Sequence, residues 1–355
     1  MERFAVKPKI YFGPEPMKAL DALAGKRVLV VTDAFLASSG LLDRVKARLT
    51  GPVEVFDRVE PDPSLRLVAE GVAALRAFRP DAVVAFGGGS PMDCAKAMCW
   101  CGKERPPLWC IPTTAGTGSE VTSFAVLTDT DRGVKIPLVD DGLLAEAAVL
   151  DPGLLDGVPP QVTADTGMDV LTHAAEAAVA RGASPFSGAL AERAFALADQ
   201  RLPAAYTGDR TAKGDMLYAS CMAGMAFNAA GLGVCHALAH ALGGRFHLPH
   251  GRLNALLLPQ VILFNAQDPR AAEGYSRLAR LCGLAGNPRA LAAALTRLRT
   301  RLKIAPRLPV SAGDLREALP GLIQAALADA CIPANPREVR AGDLQAMLLE
   351  IGGGA

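Results

Sequence analysis

The chain has 355 residues, 50% of them hydrophobic and 21% charged, which excludes disordered and fibrous classes and is large enough for two domains or one α/β body with a helical appendage. Lys and Arg number 37 against 36 Asp and Glu, a net charge of +1, so nothing in the charge balance draws in nucleic acid or an anionic membrane. The longest apolar stretch, residues 255–264, is broken by Pro259 and Gln260, and the N-terminal MERFAVKPKIYFG has no continuous apolar run; neither a membrane span nor a secretory signal is expected, and the expected location is cytoplasmic.

In chain order, residues 27–32 (RVLVVT) and 81–86 (DAVVAF) are apolar runs of strand length that end in turn chemistry, as buried parallel strands do. Residues 41–49 and 67–78 carry helical periodicity, and 108–112 and 147–150 read as further strands, giving the β-α-β-α-β order of a doubly wound nucleotide-binding sheet. Asp33 ends the first strand; its carboxylate suits a ribose hydroxyl and repels a 2′-phosphate, favouring NAD over NADP, and it suits a helix cap equally well.

The second strand runs into Gly87-Gly88-Gly89-Ser90-Pro91-Met92-Asp93-Cys94-Ala95-Lys96. Glycines let a backbone approach a pyrophosphate, Ser90 is placed to cap the following helix, and a helix N-terminus favours anions. This is not the GxGxxG pattern, and a plain tight turn reads the same way. A second strand-to-loop turn, Pro112-Thr113-Thr114-Ala115-Gly116-Thr117-Gly118-Ser119-Glu120-Val121-Thr122, adds hydroxyl donors for phosphate, ribose or carboxamide.

The pattern changes near Val158-Pro159-Pro160, where paired prolines end what precedes them; beyond, Ala- and Leu-rich segments read as an all-helical domain. All five histidines lie there, at 173, 236, 240, 247 and 250. Asp169 and His173, four apart, share one helix face and can converge on one ion, and His236 and His240 repeat that spacing. Three imidazoles and a carboxylate suit Fe²⁺, Zn²⁺, Mn²⁺ or Co²⁺, while ordinary core histidines remain the alternative. HALAH lacks the Glu that a zinc-protease helix needs after its first His. Eight scattered cysteines read as free thiols, and Cys99-Trp100-Cys101 has no second pair at zinc-finger spacing.

Together GGGSPMDCAK, PTTAGTGSEVT, TADTGMDVLTHAAEA, AGMAF, HALAHALGG and LPHGRLNALLLP resemble the blocks, in order, of the iron-dependent (group III) alcohol dehydrogenase family, from residue 12 to residue 337, with wording nearest to the propanol dehydrogenases of propanediol-utilisation microcompartments. The resemblance implies an α/β N-terminal dinucleotide-binding domain with a parallel sheet (residues 1–158) and an all-α C-terminal metal-binding domain (159–355), the dehydroquinate synthase-like fold. It implies Asp169, His173, His236 and His250 as ligands of one divalent metal, Fe²⁺ before Zn²⁺, and His240 as a nearby non-ligand, our candidate for relaying a proton. Cofactor-binding candidates are Asp33, Gly87, Gly88, Gly89, Ser90, Asp93, Thr113, Thr114, Thr117, Thr122 and Lys135; Phe124, Phe227 and Cys331 fall where the family lines its substrate pocket. The implied reaction is hydride transfer between NAD(H) and a short primary alcohol or aldehyde, 1-propanol and propanal first, in a homo-oligomer with microcompartment shell or enzyme partners as a further implication. Two rivals are a glycerol-type polyol dehydrogenase of the same fold and a non-catalytic metal-binding microcompartment protein. Arg252 and Asp62 depart from the family pattern, which puts an aliphatic residue and Asn at those positions.

Overall fold

Six short runs, most of them β-branched and apolar, pair side by side and in parallel, the arrangement that requires cover on both faces. The computed structural model describes residues 4, 7–131 and 134–352. The chain divides into two units, Met1–Gly157 and Val158–Ala355.

In the first unit the strands are β1 (Lys9–Tyr11), β2 (Val28–Val31), β3 (Val53–Phe56), β4 (Ala82–Gly87), β5 (Leu108–Pro112), β6 (Phe124–Asp129), β7 (Val134–Val139) and β8 (Ala147–Val149), with helices α1 (Ala34–Ser38), α2 (Leu41–Lys46), α3 (Leu65–Phe78) and α4 (Gly89–Cys101). The parallel sheet runs β1-β8-β5-β4-β2-β3, and β6 and β7 form a separate antiparallel pair. Every residue of β2, β4 and β5 is buried, which explains why these strands read as continuous apolar runs. The sequence does not announce β1, β3 or the β6–β7 pair. β1 is three residues long and β3 alternates as VEVF, so neither offers a run. Sheet and helices meet in a core that includes Leu29, Val31, Phe56, Val83, Ala85, Met92, Met98 and Leu127.

Adjacent β4 and β5 deliver their C-terminal ends to one place: Gly87 pairs with Pro112, and Thr113 N–H donates to Gly87 O at 3.0 Å. The two loops expected to hold a cofactor are therefore neighbours, the arrangement in which open α/β sheets bind ligands.

The second unit is helical throughout its described residues: α5 (Pro160–Val179), α6 (Pro185–Tyr206), α7 (Arg210–Ala230), α8 (Val234–Phe246), α9 (His250–Asn265), α10 (Pro269–Leu281), α11 (Pro288–Arg301), α12 (Ala312–Leu327) and α13 (Ala341–Gly352). Small residues let these helices pack closely; α5 is buried from Thr163 to Val179 except at Thr166. Among the described residues no single helix is long and apolar enough to cross a membrane. All eight cysteines are free, with Cys99 buried and Cys101 exposed.

Glu120 in the second loop is buried, and its Oε1 has no hydrogen-bond partner among the described residues. Burial pushes its carboxyl up from 4.5 to about 7. A raised folded-state value stabilises the fold below the unfolded value and loses that contribution as pH climbs through the folded one. Glu120→Gln should therefore flatten the fall in unfolding free energy between pH 4.5 and about 7, by up to ~3 kcal/mol, as read by denaturant titrations across that range.

Candidate metal centre and cofactor loops

Three helices of the second unit bring their polar side chains to one buried point. On α5, Asp169 and His173 sit one turn apart on the same face. His236 lies in the first turn of α8, and His250 opens α9 directly after Pro249. Asp169 Oδ1 lies 4.0 Å from His173 Nε2, 3.7 Å from His236 Nε2 and 3.5 Å from His250 Nε2. Two donors on a tetrahedral first-row ion at ~2.1 Å are roughly 3.4 Å apart; the ligand atoms of Asp169, His173 and His236 all lie within 4.8 Å of one another and could hold one divalent ion, with His250 Nε2 3.5 Å from the carboxylate, and this mix of nitrogen and oxygen suits Fe²⁺ or Zn²⁺.

Burial opposes charge on Asp169, but the imidazoles of His173, His250 and His236 outweigh it and hold its carboxyl well below the usual range. Burial likewise opposes the imidazolium of His236, yet Asp169 and Glu176 outweigh it and push that ring up to about 9. A metal ion replaces such a proton when it binds.

Two residues that sequence reasoning missed complete the surroundings. Glu176, buried on α5, faces the N-terminus of α8: Oε2 is 2.6 Å from His236 Nδ1, and Oε1 accepts from Cys235 N–H at 2.7 Å. With Nδ1–H donating to Glu176, Nε2 is the ring nitrogen that faces Asp169 and would bind a metal once its proton is displaced. Glu176 thereby also satisfies an N–H of α8, whose N-cap Gly233 supplies no side chain; Asn335 Oδ1 takes Val234 N–H at 3.1 Å. A Cβ on Gly233 would lie 2.6 Å from Asn335 Oδ1 and 2.9 Å from Glu176 Oε1, so only glycine fits. Asn254, one turn after His250, donates from Nδ2 to Asp169 Oδ1 at 2.7 Å and lies 3.1 Å from His250 Nε2. The sequence signal for both was a polar residue one turn after a candidate ligand, at i+3 from His173 and i+4 from His250.

His240 repeats the ligand spacing but is turned elsewhere. Its Nδ1 lies 2.8 Å from Asp329 Oδ2, and its ring stacks on His250 with centroids 5.1 Å apart. Cys331 joins this second group, with ligand atoms of His240, Asp329 and Cys331 all within 4.8 Å. Phe227 on α7 stacks on His173 at 4.5 Å, placing an apolar wall beside that candidate ligand.

In the first unit, Ser90 corrects the expectation of a helix cap. Helix α4 starts at Gly89 with Gly88 as its uncapped N-cap, so Ser90 lies inside the first turn, where its hydroxyl accepts from Asp62 N–H at 3.3 Å. The N-terminus of α4 is left without a side-chain cap, a favourable seat for a phosphate. Asp33 does cap α1, accepting Leu36 N–H at 2.8 Å. Asp93 and Thr122, two further cofactor-binding candidates, also make contacts within the unit. Asp93 accepts from Ser119 Oγ at 2.7 Å and Val126 N–H at 3.1 Å. The buried Lys96 Nζ lies 2.8–3.1 Å from four acceptors, Ser119 Oγ, Thr122 O, Thr122 Oγ1 and Phe124 O, which share its three N–H bonds. Lys96, missed as a functional residue, thus ties α4 to the second loop. Lys135 pairs with Asp62 at 2.7 Å, so the Asp62 departure links two cofactor-binding candidates, Lys135 and Ser90.

Family models for iron-containing alcohol dehydrogenase match residues 7–152, and for the C-terminal part of the Fe-containing alcohol dehydrogenase family residues 163–351. The 1-propanol dehydrogenase PduQ of Citrobacter freundii is 45% identical, over 99% of this chain and 100% of its own. The iron-containing alcohol dehydrogenase of Thermococcus thioreducens superposes with a TM-score of 0.94 at 30% identity, covering 99% of this chain and 100% of that one. Sulfoacetaldehyde reductase from Bifidobacterium kashiwanohense, solved in complex with NAD+, superposes at 0.89 with 29% identity, covering 100% of both chains.

Glu176→Gln leaves a single acceptor oxygen for two donors, Cys235 N–H and His236 Nδ1–H. Chelator-competition titrations should show divalent-metal affinity reduced on the order of 10- to 100-fold, the usual effect of removing a ligand's own hydrogen-bond partner.

Proposed function

The chain belongs to the iron-containing alcohol dehydrogenase family, and on that premise we propose that it interconverts a short primary alcohol and its aldehyde with NAD(H), 1-propanol and propanal being the favoured pair. The observation that carries the reading is the convergence of Asp169, His173, His236 and His250 within 4.0 Å of a single carboxylate oxygen. When bound, the divalent ion supplies Lewis acidity at the substrate oxygen and the nicotinamide accepts or donates hydride.

The chain's own residues supply position, dryness and a proton path. Glu176 fixes the ring of His236, and Phe227 shields His173 from water. Asp329 orients His240 through Nδ1, leaving Nε2 to pass a proton between substrate and solvent; the His240 side chain is 28% exposed. In the first unit, the uncapped N-terminus of α4 receives the pyrophosphate, and Thr113, Thr114 and Thr117 offer hydroxyls beside it. Asp33, at the end of β2, disfavours a 2′-phosphate.

An apolar Phe227 supports a short unsubstituted chain over a polyol, as does the identity to a 1-propanol dehydrogenase. Arg252, the charge that would favour a polar substrate, is engaged by Asp165. A cytoplasmic location, homo-oligomeric assembly and enclosure in a bacterial microcompartment complete the proposal and rest on sequence resemblance.

The test is anaerobic turnover of propanal with NADH after chelation and readdition of Fe²⁺ or Zn²⁺, with glycerol and NAD+ run in parallel. Metal-restored propanal reduction with little glycerol oxidation is expected. Dominant glycerol oxidation would make the protein a polyol dehydrogenase, and inactivity with every metal would make it a binding protein. His240→Ala should lower kcat on the order of 10²-fold or more; full turnover in that variant would remove the relay.

A further inference from the structure

Arg252 is two residues past the candidate ligand His250, and Asp165 is one helical turn before the candidate ligand Asp169. The two side chains meet as a fork: Arg252 Nη2 donates to Asp165 Oδ2 at 2.9 Å and Nε reaches Oδ1 at 3.3 Å. Gln161 Nε2 supports the same Oδ1 from the preceding turn at 3.2 Å. Both partners are largely enclosed, with side-chain exposures of 31% and 12%.

The backbone beneath the fork is in contact. A Cβ on Gly251 would fall 1.9 Å from Asp165 O and 3.3 Å from Asp169 Cβ, so α9 begins directly on the turn of α5 that carries the carboxylate. His250 occupies the first position of α9, whose N-cap Pro249 offers no side-chain hydrogen bond. First turns fray unless something pins them. Gly251 permits the contact, and the bidentate pair fixes its angle, because a guanidinium and a carboxylate meet in one plane along two bonds.

We propose that Asp165 and Arg252 are positioning residues for the metal: the fork holds the first turn of α9 against α5 and so sets the distance from His250 to Asp169. Such a pair contributes geometry more than stability, since an enclosed ion pair gains little net energy after desolvation. It also accounts for Arg252 in a site that otherwise binds a neutral, apolar substrate. Lysine cannot replace it, having a single charged point where the fork needs two directed donors. The proposal rests on the ligand set given above.

The test compares the parent with Asp165→Asn/Arg252→Met, which removes both charges and strands neither, and with Arg252→Lys, which keeps the charge and loses the fork. Zn²⁺ and Fe²⁺ affinities are measured on metal-stripped protein by chelator competition, together with its melting temperature and, at saturating metal, the KM for propanal. Expected are dissociation constants raised on the order of 10- to 100-fold in the double variant, a smaller rise in Arg252→Lys, and an unchanged metal-free melting temperature and aldehyde KM. Unchanged affinity would overturn the proposal. So would a metal-free melting temperature that falls in step with affinity, which marks a general structural role, or a raised KM at full metal loading, which marks Arg252 as a substrate contact. His250→Ala separates the two levels: if it leaves metal affinity intact, the ligand set fails and the fork's role with it.

Discussion

The carboxylate of Asp169 is buried and surrounded by three imidazoles that favour its ionised form, and the second unit is organised around that fact. An enclosed carboxylate without cationic or hydrogen-bonding partners costs several kcal/mol. The sequence meets that cost by bringing imidazoles from three helices towards the same oxygen, His173 along α5, His236 from the start of α8 and His250 from α9, and by a hydrogen bond from Asn254. Each is steadied from behind. Glu176 holds His236, Phe227 stacks on His173, and Arg252 with Asp165 anchors the turn that carries His250. Alanine- and glycine-rich helices make this convergence possible, because bulky side chains would keep the backbones apart.

The first unit solves a different problem. Its parallel strands must end in loops that present backbone N–H groups to an anion, and such loops need support from below. That support is a single buried ammonium, Lys96, reaching two hydroxyls and two carbonyls, with Asp93 joined to the same network through Ser119. Residues proposed to face the cofactor and core-facing polar residues therefore alternate within one short stretch.

That alternation explains what was legible and what was not. The buried strands and the i, i+4 pair Asp169/His173 are local patterns, visible directly in the sequence. His240 has the same spacing from His236, yet its Nδ1 goes to Asp329, 89 residues away in the chain, a separation at which local spacing carries no information. Asp93 and Thr122 are cofactor-binding candidates by resemblance, and the sequence gives no sign of the contacts they make inside the unit, Thr122 with Lys96 and Asp93 with Ser119. Ser90 fails as a cap because the helix begins at Gly89, two residues earlier than a cap at Ser90 implies. Glu176 and Asn254 are short-range signals that a search for ligands passes over, since they act on ligands instead of on the metal. The Arg252 departure becomes intelligible once Asp165 is seen opposite it.

Two groups of side chains could hold a metal ion, one of nitrogen and oxygen around Asp169 and one that includes the sulfur of Cys331. Fe K-edge X-ray absorption on the iron-reconstituted protein separates them directly. Occupancy of the Asp169 site predicts imidazole nitrogen and carboxylate oxygen neighbours with no sulfur, and a weaker imidazole signature in His236→Ala. A sulfur neighbour at ~2.3 Å would place the ion at His240, Asp329 and Cys331 and contradict the central assignment.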